Sequence, residues 1–280
     1  MTVLKSDLIY DVGLHRGEDT DFYLRKGFEV VAIEANPELV ARCKERFRDA
    51  LESGRLHIVE GAIAPQSAGE TVTFYSNTRK TVFGSIDGAW AERNAKSGYG
   101  SERIELPRID IGEVYRRFGI PFYIKIDVEG VDRLVLDGLR QFAARPRYVS
   151  MESEKVDFSA LEEELKLLRD LGYTKFKPVQ QAAIPGRTIR TTTLDGRILE
   201  YVFEPHASGP FGEDIAQPWL SFDDTRKAYE SIFQRYRYHG DNSLIKKMPK
   251  PIRKILRAAY RLWTGYRGPL PGWHDTHASL

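Results

Sequence analysis

The chain holds one cysteine in 280 residues, Cys43. No disulfide can form within it, which excludes a disulfide-stapled secreted scaffold. No run approaches the roughly 18 apolar residues of a membrane span, so an integral helical membrane protein is excluded and peripheral attachment stays open. No apolar stretch precedes the first expected strand, so a secretory signal is not expected and the expected location is the cytoplasm. There is no internal repeat. Only one basic cluster is present and no aromatic stacking platform accompanies it, which disfavours nucleic acid as a partner.

The chain is 41% hydrophobic, enough to bury the core of one large domain or of a domain with a substantial appendage. A net charge of +2 hides an asymmetry, because residues 245 to 280 carry eight basic side chains against Asp275 alone. The rest of the chain is therefore net acidic, and attraction to an anionic partner is concentrated in the tail.

The element pattern begins with Leu8-Ile9-Tyr10, an apolar run suited to a buried parallel strand, which breaks into a turn bearing Gly13 and Gly17 before a helix opened by Glu18-Asp19-Thr20. Glu29 to Glu34 reads as a second strand, Pro37 enters a helix running to about Leu51, and Leu56 to Glu60 is a third strand. Residues 64 to 106 are less regular, with one exposed strand expected at Thr71 to Tyr75. Asp110-Ile111-Gly112-Glu113 has capping-box spacing for a helix to Phe118, and Phe122 to Ile126 and Tyr148 to Met151 are further strands. Leu161, Leu165, Leu168 and Leu171 stripe another helix. Thr174 to Val179 and Ile198 to Phe203 read as a final strand pair, and beyond Glu204 the sheet pattern is lost.

An open parallel sheet binds ligands at the carboxyl ends of its strands, where Asp11, Gly13, Glu34, Gly61 and Asp127 fall. An acid ending the second strand suits ribose hydroxyls, in a dinucleotide or in S-adenosylmethionine alike. The loop separates the two. A pyrophosphate wants three glycines and a bare helix start, whereas here His15 holds the middle glycine position and Glu18 and Asp19 open the helix. Asp11 suits a sulfonium or ammonium and repels a pyrophosphate. The plain structural alternative is that Asp11 and Gly13 merely end a strand and make a turn.

Asp11-Val12-Gly13 with Gly17, Glu34-Ala35-Asn36-Pro37 and Lys125-Ile126-Asp127-Val128-Glu129-Gly130 together resemble the FkbM family of S-adenosylmethionine-dependent methyltransferases, over Leu8 to about Glu152. Many members carry Asn where this chain has His15. The resemblance implies an α/β class I methyltransferase-like (Rossmann-like) open sheet, and the element pattern beyond it makes that sheet mostly parallel with an antiparallel last strand, plus a C-terminal appendage on which the resemblance says little. Residues 1–204 would form the cofactor-binding domain and 205–280 a C-terminal cap and basic amphipathic tail packed on it. The implied activity is methyl transfer to a hydroxyl of a sugar, glycan or natural product. Expected cofactor contacts are Asp11, Gly13, Leu14, His15, Gly17, Asp19 and Thr20 in the first loop and helix start. Glu34, Ala35 and Asn36 follow from the second strand end, Gly61 and Ala62 from the third, and Asp127 from the fourth. Nicotinamide-dependent oxidation and non-catalytic adenosine binding are the competing readings.

A neutral hydroxyl is a poor nucleophile, and a base within reach contributes ~10²- to 10⁴-fold. Asp127 and Glu129 are the expected catalytic carboxylates, two apart and on one side if the strand continues. Their alternative roles are to cap the helix starting at Gly130 and to meet its dipole. Base catalysis is preferred over a bound divalent cation, which would want a third oxygen ligand such as Glu152. His15 and His206 are the histidines to weigh as bases. Trp90, Arg93, Asn94 and His206 are expected on the small-molecule or glycan acceptor. Ser208 to Asp214 is one segment able to fold over the site, while Trp273 to His277 reads foremost as a surface turn. Ile252, Ile255, Leu256, Ala259, Tyr260, Leu262 and Trp263 follow helical spacing between basic residues. The favoured reading is a core-packed helix with a solvated basic face; the other is contact with an anionic membrane or acceptor.

Overall fold

The computed structural model describes residues 2–77, 84–85, 101–128, 130–240, 243–270 and 272–280. In chain order its strands are β1 (Leu4–Val12), β2 (Glu29–Glu34), β3 (Leu56–Glu60), β4 (Ala62–Ile63), β5 (Thr71–Asn77), β6 (Gly84–Ser85), β7 (Ser101–Ile109), β8 (Ile120–Ile126), β9 (Tyr148–Glu152), β10 (Lys175–Gln180), β11 (Thr188–Thr192), β12 (Ile198–Val202) and β13 (His274–Ser279). The helices are α1 (Glu18–Arg25), α2 (Pro37–Arg46), α3 (Arg48–Glu52), α4 (Ile111–Phe118), α5 (Asp132–Gly138), α6 (Phe158–Asp170), α7 (Phe222–His239), α8 (Leu244–Lys247) and α9 (Lys250–Thr264).

A strand buried on both faces reads as an unbroken apolar run, and β1 is buried from Leu8 to Val12. It lies inside a seven-stranded sheet of order β10-β13-β9-β8-β1-β2-β3, parallel except for β13. Alternation along β1 sends Leu8, Tyr10 and Val12 to one face and Ile9 to the other. The first face packs with Tyr115 of α4, Leu136 of α5, the Leu161, Leu165 and Leu168 stripe of α6 and Tyr229 of α7. The second packs with Phe22 and Tyr23 of α1, Cys43 of α2 and the aromatic group of Tyr201, Phe203 and Phe211. Each fully buried leucine of such a stripe contributes about 1.5–3 kcal/mol. The Tyr10 hydroxyl, taken inside, donates to the carbonyls of Val114 and Gly119, at 3.2 and 2.8 Å.

Local signals fix several element ends. Asp110 caps α4 by accepting from the Gly112 amide at 2.8 Å, and Asn36 caps α2, with Pro37 at its first turn. The helix expected to run to Leu51 breaks at Phe47, because that ring turns inward against Gly17 and α3 restarts after it. The segment expected to be irregular holds a long antiparallel pairing of β5 with β7, in a second sheet of order β4-β7-β5-β6.

Three expectations for the C-terminal third need correction. The strands at Lys175 and Ile198 do not pair with each other: β12 pairs with β11 in a separate hairpin, and β10 pairs with β13. That hairpin lies over α1, where Tyr201 donates to Asp21 at 3.0 Å and Lys26 meets Thr191 and Asp214. Trp273 to His277 is no surface turn, because its residues from His274 onward form β13, buried throughout and inserted between β9 and β10. The segment 205–280 thus completes the central sheet as well as extending beyond it. Finally, α9 is not packed into the core; none of its residues is buried. Among the described residues no helix is long and apolar enough to cross a membrane.

Candidate active site

Parallel strands end together along one edge, and the antiparallel β13 brings its first residues to that edge. There β2 delivers Glu34, β1 leads into Gly13, β8 leads into Asp127, β9 ends in Glu152 and β13 carries Asp275 as its second residue; all five line one cavity of about 750 Å³. Neighbouring strands are ~4.8 Å apart, so Asp127 stands roughly 10 Å and Asp275 roughly 19 Å from Glu34 along the edge. The volume lies within the usual range for small-molecule and cofactor sites.

The first loop is held from both sides. The amides of Gly13 and Leu14 both donate to the Ile33 carbonyl, at 3.0 and 3.1 Å. Gly13 has φ +92°, and a Cβ there would overlap the Asp127 carbonyl oxygen. Only glycine lets β1 and β8 end so close together. His15 also has positive φ, and its amide donates to Glu34 Oε2 at 2.8 Å while the Asn36 amide donates to Oε1 at 2.8 Å. Two backbone donors thus orient the Glu34 carboxylate at the cavity wall, and each oxygen keeps acceptor capacity for a ribose hydroxyl. Burial pushes the Glu34 pKa up despite these bonds.

Lys125 is the hidden centre of the site. Its ammonium lies 3.2 Å from Asp11, 3.6 Å from Asp19 and 3.6 Å from Asp127, and donates to the Gly13 carbonyl at 2.9 Å. Burial opposes its charge, but Asp11, Asp127 and Asp19 outweigh that and hold its pKa well above the ordinary value. Asp19 is pushed up to about 6, chiefly by burial, with Lys125 pulling it down and Asp11 pushing it further up. It also accepts from the amides of Ser208 and Gly209 at 2.9 and 3.4 Å. The segment after β12 is thereby fastened over α1, and His206, Ala207 and Ser208 line the cavity.

At the far end Asp275 is paired in register with Glu152 and is 7% exposed. Burial raises its pKa well above the ordinary value, and Asp127 and Glu152 raise it further. Among the described residues its carboxyl has no hydrogen-bonding partner, although it opens on the cavity. Lys155 closes this end, 2.9 Å from Glu152 and over the Trp273 ring.

Gly13, Leu14, His15, Asp19, Glu34, Ala35, Asn36, Gly61, Ala62, Asp127 and His206 all line the cavity. Asp11, Gly17 and Thr20 do not. Asp11 is fully buried behind the wall, between Lys125 and the Thr20 hydroxyl that donates to it at 2.7 Å, and Gly17 packs on Phe47. The helix after Asp127 begins at Asp132 with no side-chain cap, so Asp127 is not its cap. Glu129, Trp90, Arg93 and Asn94 lie outside the described residues. Sequence reasoning missed Asp275 as a wall residue, and its only signal was the polar density from Trp273 to His277. Among the described residues no group of three or more His, Cys, Asp or Glu side chains is arranged to hold a metal ion.

The lining suits a cation. Glu18, Asp19, Glu34, Asp127 and Glu152 line the cavity with Lys125 and Lys155, an excess of acid that favours a sulfonium and an ammonium and opposes a pyrophosphate. With Glu34 oriented for a ribose, the residues present fit S-adenosylmethionine.

A search of curated proteins finds no match to the chain. Among solved structures, the chain is similar to a precorrin-6y C5,15-methyltransferase from Geobacter metallireducens, with 11% identity, a TM-score of 0.36, and coverage of 71% of this chain and 77% of that one. It is also similar to an O-methyltransferase from Bacillus cereus in complex with SAH, with 11% identity, a TM-score of 0.36, and coverage of 70% and 74%. The family model of the methyltransferase FkbM domain matches residues 11–175, from the buried acid of β1 to the start of β10. With more than half its length matched, the chain belongs to the FkbM methyltransferase family.

Proposed function

We propose that this chain methylates a hydroxyl oxygen of a small-molecule or glycan acceptor, with S-adenosylmethionine as donor. When bound, the donor supplies an electrophilic methyl carbon on a sulfonium. Glu34 would take the ribose hydroxyls, and the loop from Gly13 to His15 would lie against the rest of the nucleoside. The acid excess around Lys125 favours the cationic end.

The observation that supports oxygen as the acceptor atom is the run of carboxyls at adjoining strand ends, Asp127, Glu152 and Asp275, on one cavity. A hydroxyl must give up its proton as its oxygen is alkylated, and a carboxylate is a fitting receiver. Asp127 carries that role here: its side chain is 51% exposed, so it is open to an acceptor, and Lys125 orients it from behind. Asp275, whose burial favours its protonated form, would donate a hydrogen bond to a second polar group of the acceptor and align the reacting oxygen.

Calorimetry with S-adenosylhomocysteine and with NAD tests the cofactor; binding of NAD alone would sink the reading. For the chemistry, Asp127→Asn should keep S-adenosylhomocysteine affinity and lower kcat by ~10²- to 10⁴-fold. Asp275→Asn should act mainly on acceptor KM. Unchanged turnover in the first variant removes Asp127 from the mechanism.

A further inference from the structure

The helix α9 has three sides. Leu256 and Tyr260 face the body of the protein, where the Tyr260 ring meets His239 edge-on at 4.6 Å between centroids. Lys250, Lys254 and Arg261, at helical spacings, make a basic side, and Arg257 between them lies near His239. Ile252, Ile255, Ala259, Leu262 and Trp263 make the third, which is open to solvent among the described residues: Ile255 is 68%, Leu262 87% and Trp263 85% exposed. In the short helix α8 just before α9, Leu244 is likewise 76% exposed.

An exposed row of this size and hydrophobicity marks an interaction site. The charge says with what. No acidic residue stands between positions 242 and 274, so the basic side has no neutralising partner in its own segment, while the rest of the chain is net acidic. A helix with Leu, Ile and Trp on one side and Lys and Arg on the other lies in a bilayer interface, its apolar side among the acyl chains and its long basic side chains reaching anionic headgroups. We propose that α9 docks this protein on an anionic lipid surface. The acidic body is repelled by such a surface, so the same charge segregation orients the molecule with α9 inward. Residues 265–273 join α9 directly to β13, which carries Asp275.

Co-sedimentation with vesicles tests this without reference to the methyl acceptor. Vesicles of phosphatidylcholine with phosphatidylglycerol should bind the protein at least about tenfold more strongly than phosphatidylcholine alone, with loss in high salt. Leu262→Asn with Trp263→Gln should abolish binding, and Lys254→Gln with Arg261→Gln should weaken it and flatten its salt dependence. S-adenosylhomocysteine affinity, unchanged in these variants, reports that they remain folded. Equal affinity for neutral and anionic vesicles, no sedimentation with either, or binding that survives Leu262→Asn with Trp263→Gln would overturn the proposal. So would a vesicle-independent dimer dissolved by those two substitutions, since the row would then belong to a second copy of the chain.

Discussion

Lys125 shows how much of a site is invisible in its lining. A buried ion network is strongly destabilised by loss of one member, because the remaining charges keep their desolvation cost without compensation. Lys125→Met removes the one cation that, among the described residues, pairs with Asp11, Asp19 and Asp127, two of which are buried. Urea denaturation should show a loss of about 3–5 kcal/mol. Neutralising a carboxylate as well, in Lys125→Met with Asp11→Asn, should recover part of it. A similar stability for single and double variants would mean that the ion pair to Asp11 is not what sustains the ammonium. At this scale the sequence was legible in type but not in orientation: an acid ending β1 is plain, yet that it points behind the wall at Lys125 rather than into the cavity depends on the β1 and β8 register.

The elements at the sheet edge are positioned by close backbone approach, and Gly13 is where that is most demanding. Gly13→Ala places a side chain on a left-handed residue, at a cost of about 1–3 kcal/mol, and drives it into the Asp127 carbonyl. Thermal unfolding should show the destabilisation, and calorimetry should show weaker S-adenosylhomocysteine binding; unaltered binding would mean the loop relaxes freely. Elements with unbroken apolar runs or a leucine stripe, such as β1, β2, β8 and α6, were readable because burial on known faces dictates their composition. β13 was not, because its burial is expressed in polar side chains. Thr276 shares hydrogen bonds with Ser153 and Tyr229, at 2.8 and 2.6 Å, and His277 is buried neutral, with its pKa lowered to about 3 by burial and by Lys177. The strand β7 went unread because its alternating Ile104 and Leu106 cover only a small secondary core.

Across the whole molecule, buried titratable groups set a direction for pH. Burial raises Glu164 from 4.5 to about 7, and burial with Asp127 raises Asp132 from 3.8 to about 8. The fold binds these protons more tightly than the unfolded chain does, so their contribution makes stability fall as pH rises from the unfolded to the folded value. Histidines act oppositely: burial lowers His274 from 6.5 to about 4, and stability falls as pH drops through that window. Above pH 6.5 only the acids remain in play, so the thermal midpoint should decline between pH 6.5 and pH 8. Glu164→Gln should flatten that decline; an unchanged slope would remove Glu164 as a cause. The insertion of β13 has a consequence in time. β9 and β10 are separated by the width of one strand, and the strand that fills the space follows β10 by more than ninety residues. During synthesis the two lips of that slot stay unpaired until β13 is made, so each new chain passes through a stage with open strand edges. The Asp275 side of the cavity is therefore the last part of it to be completed.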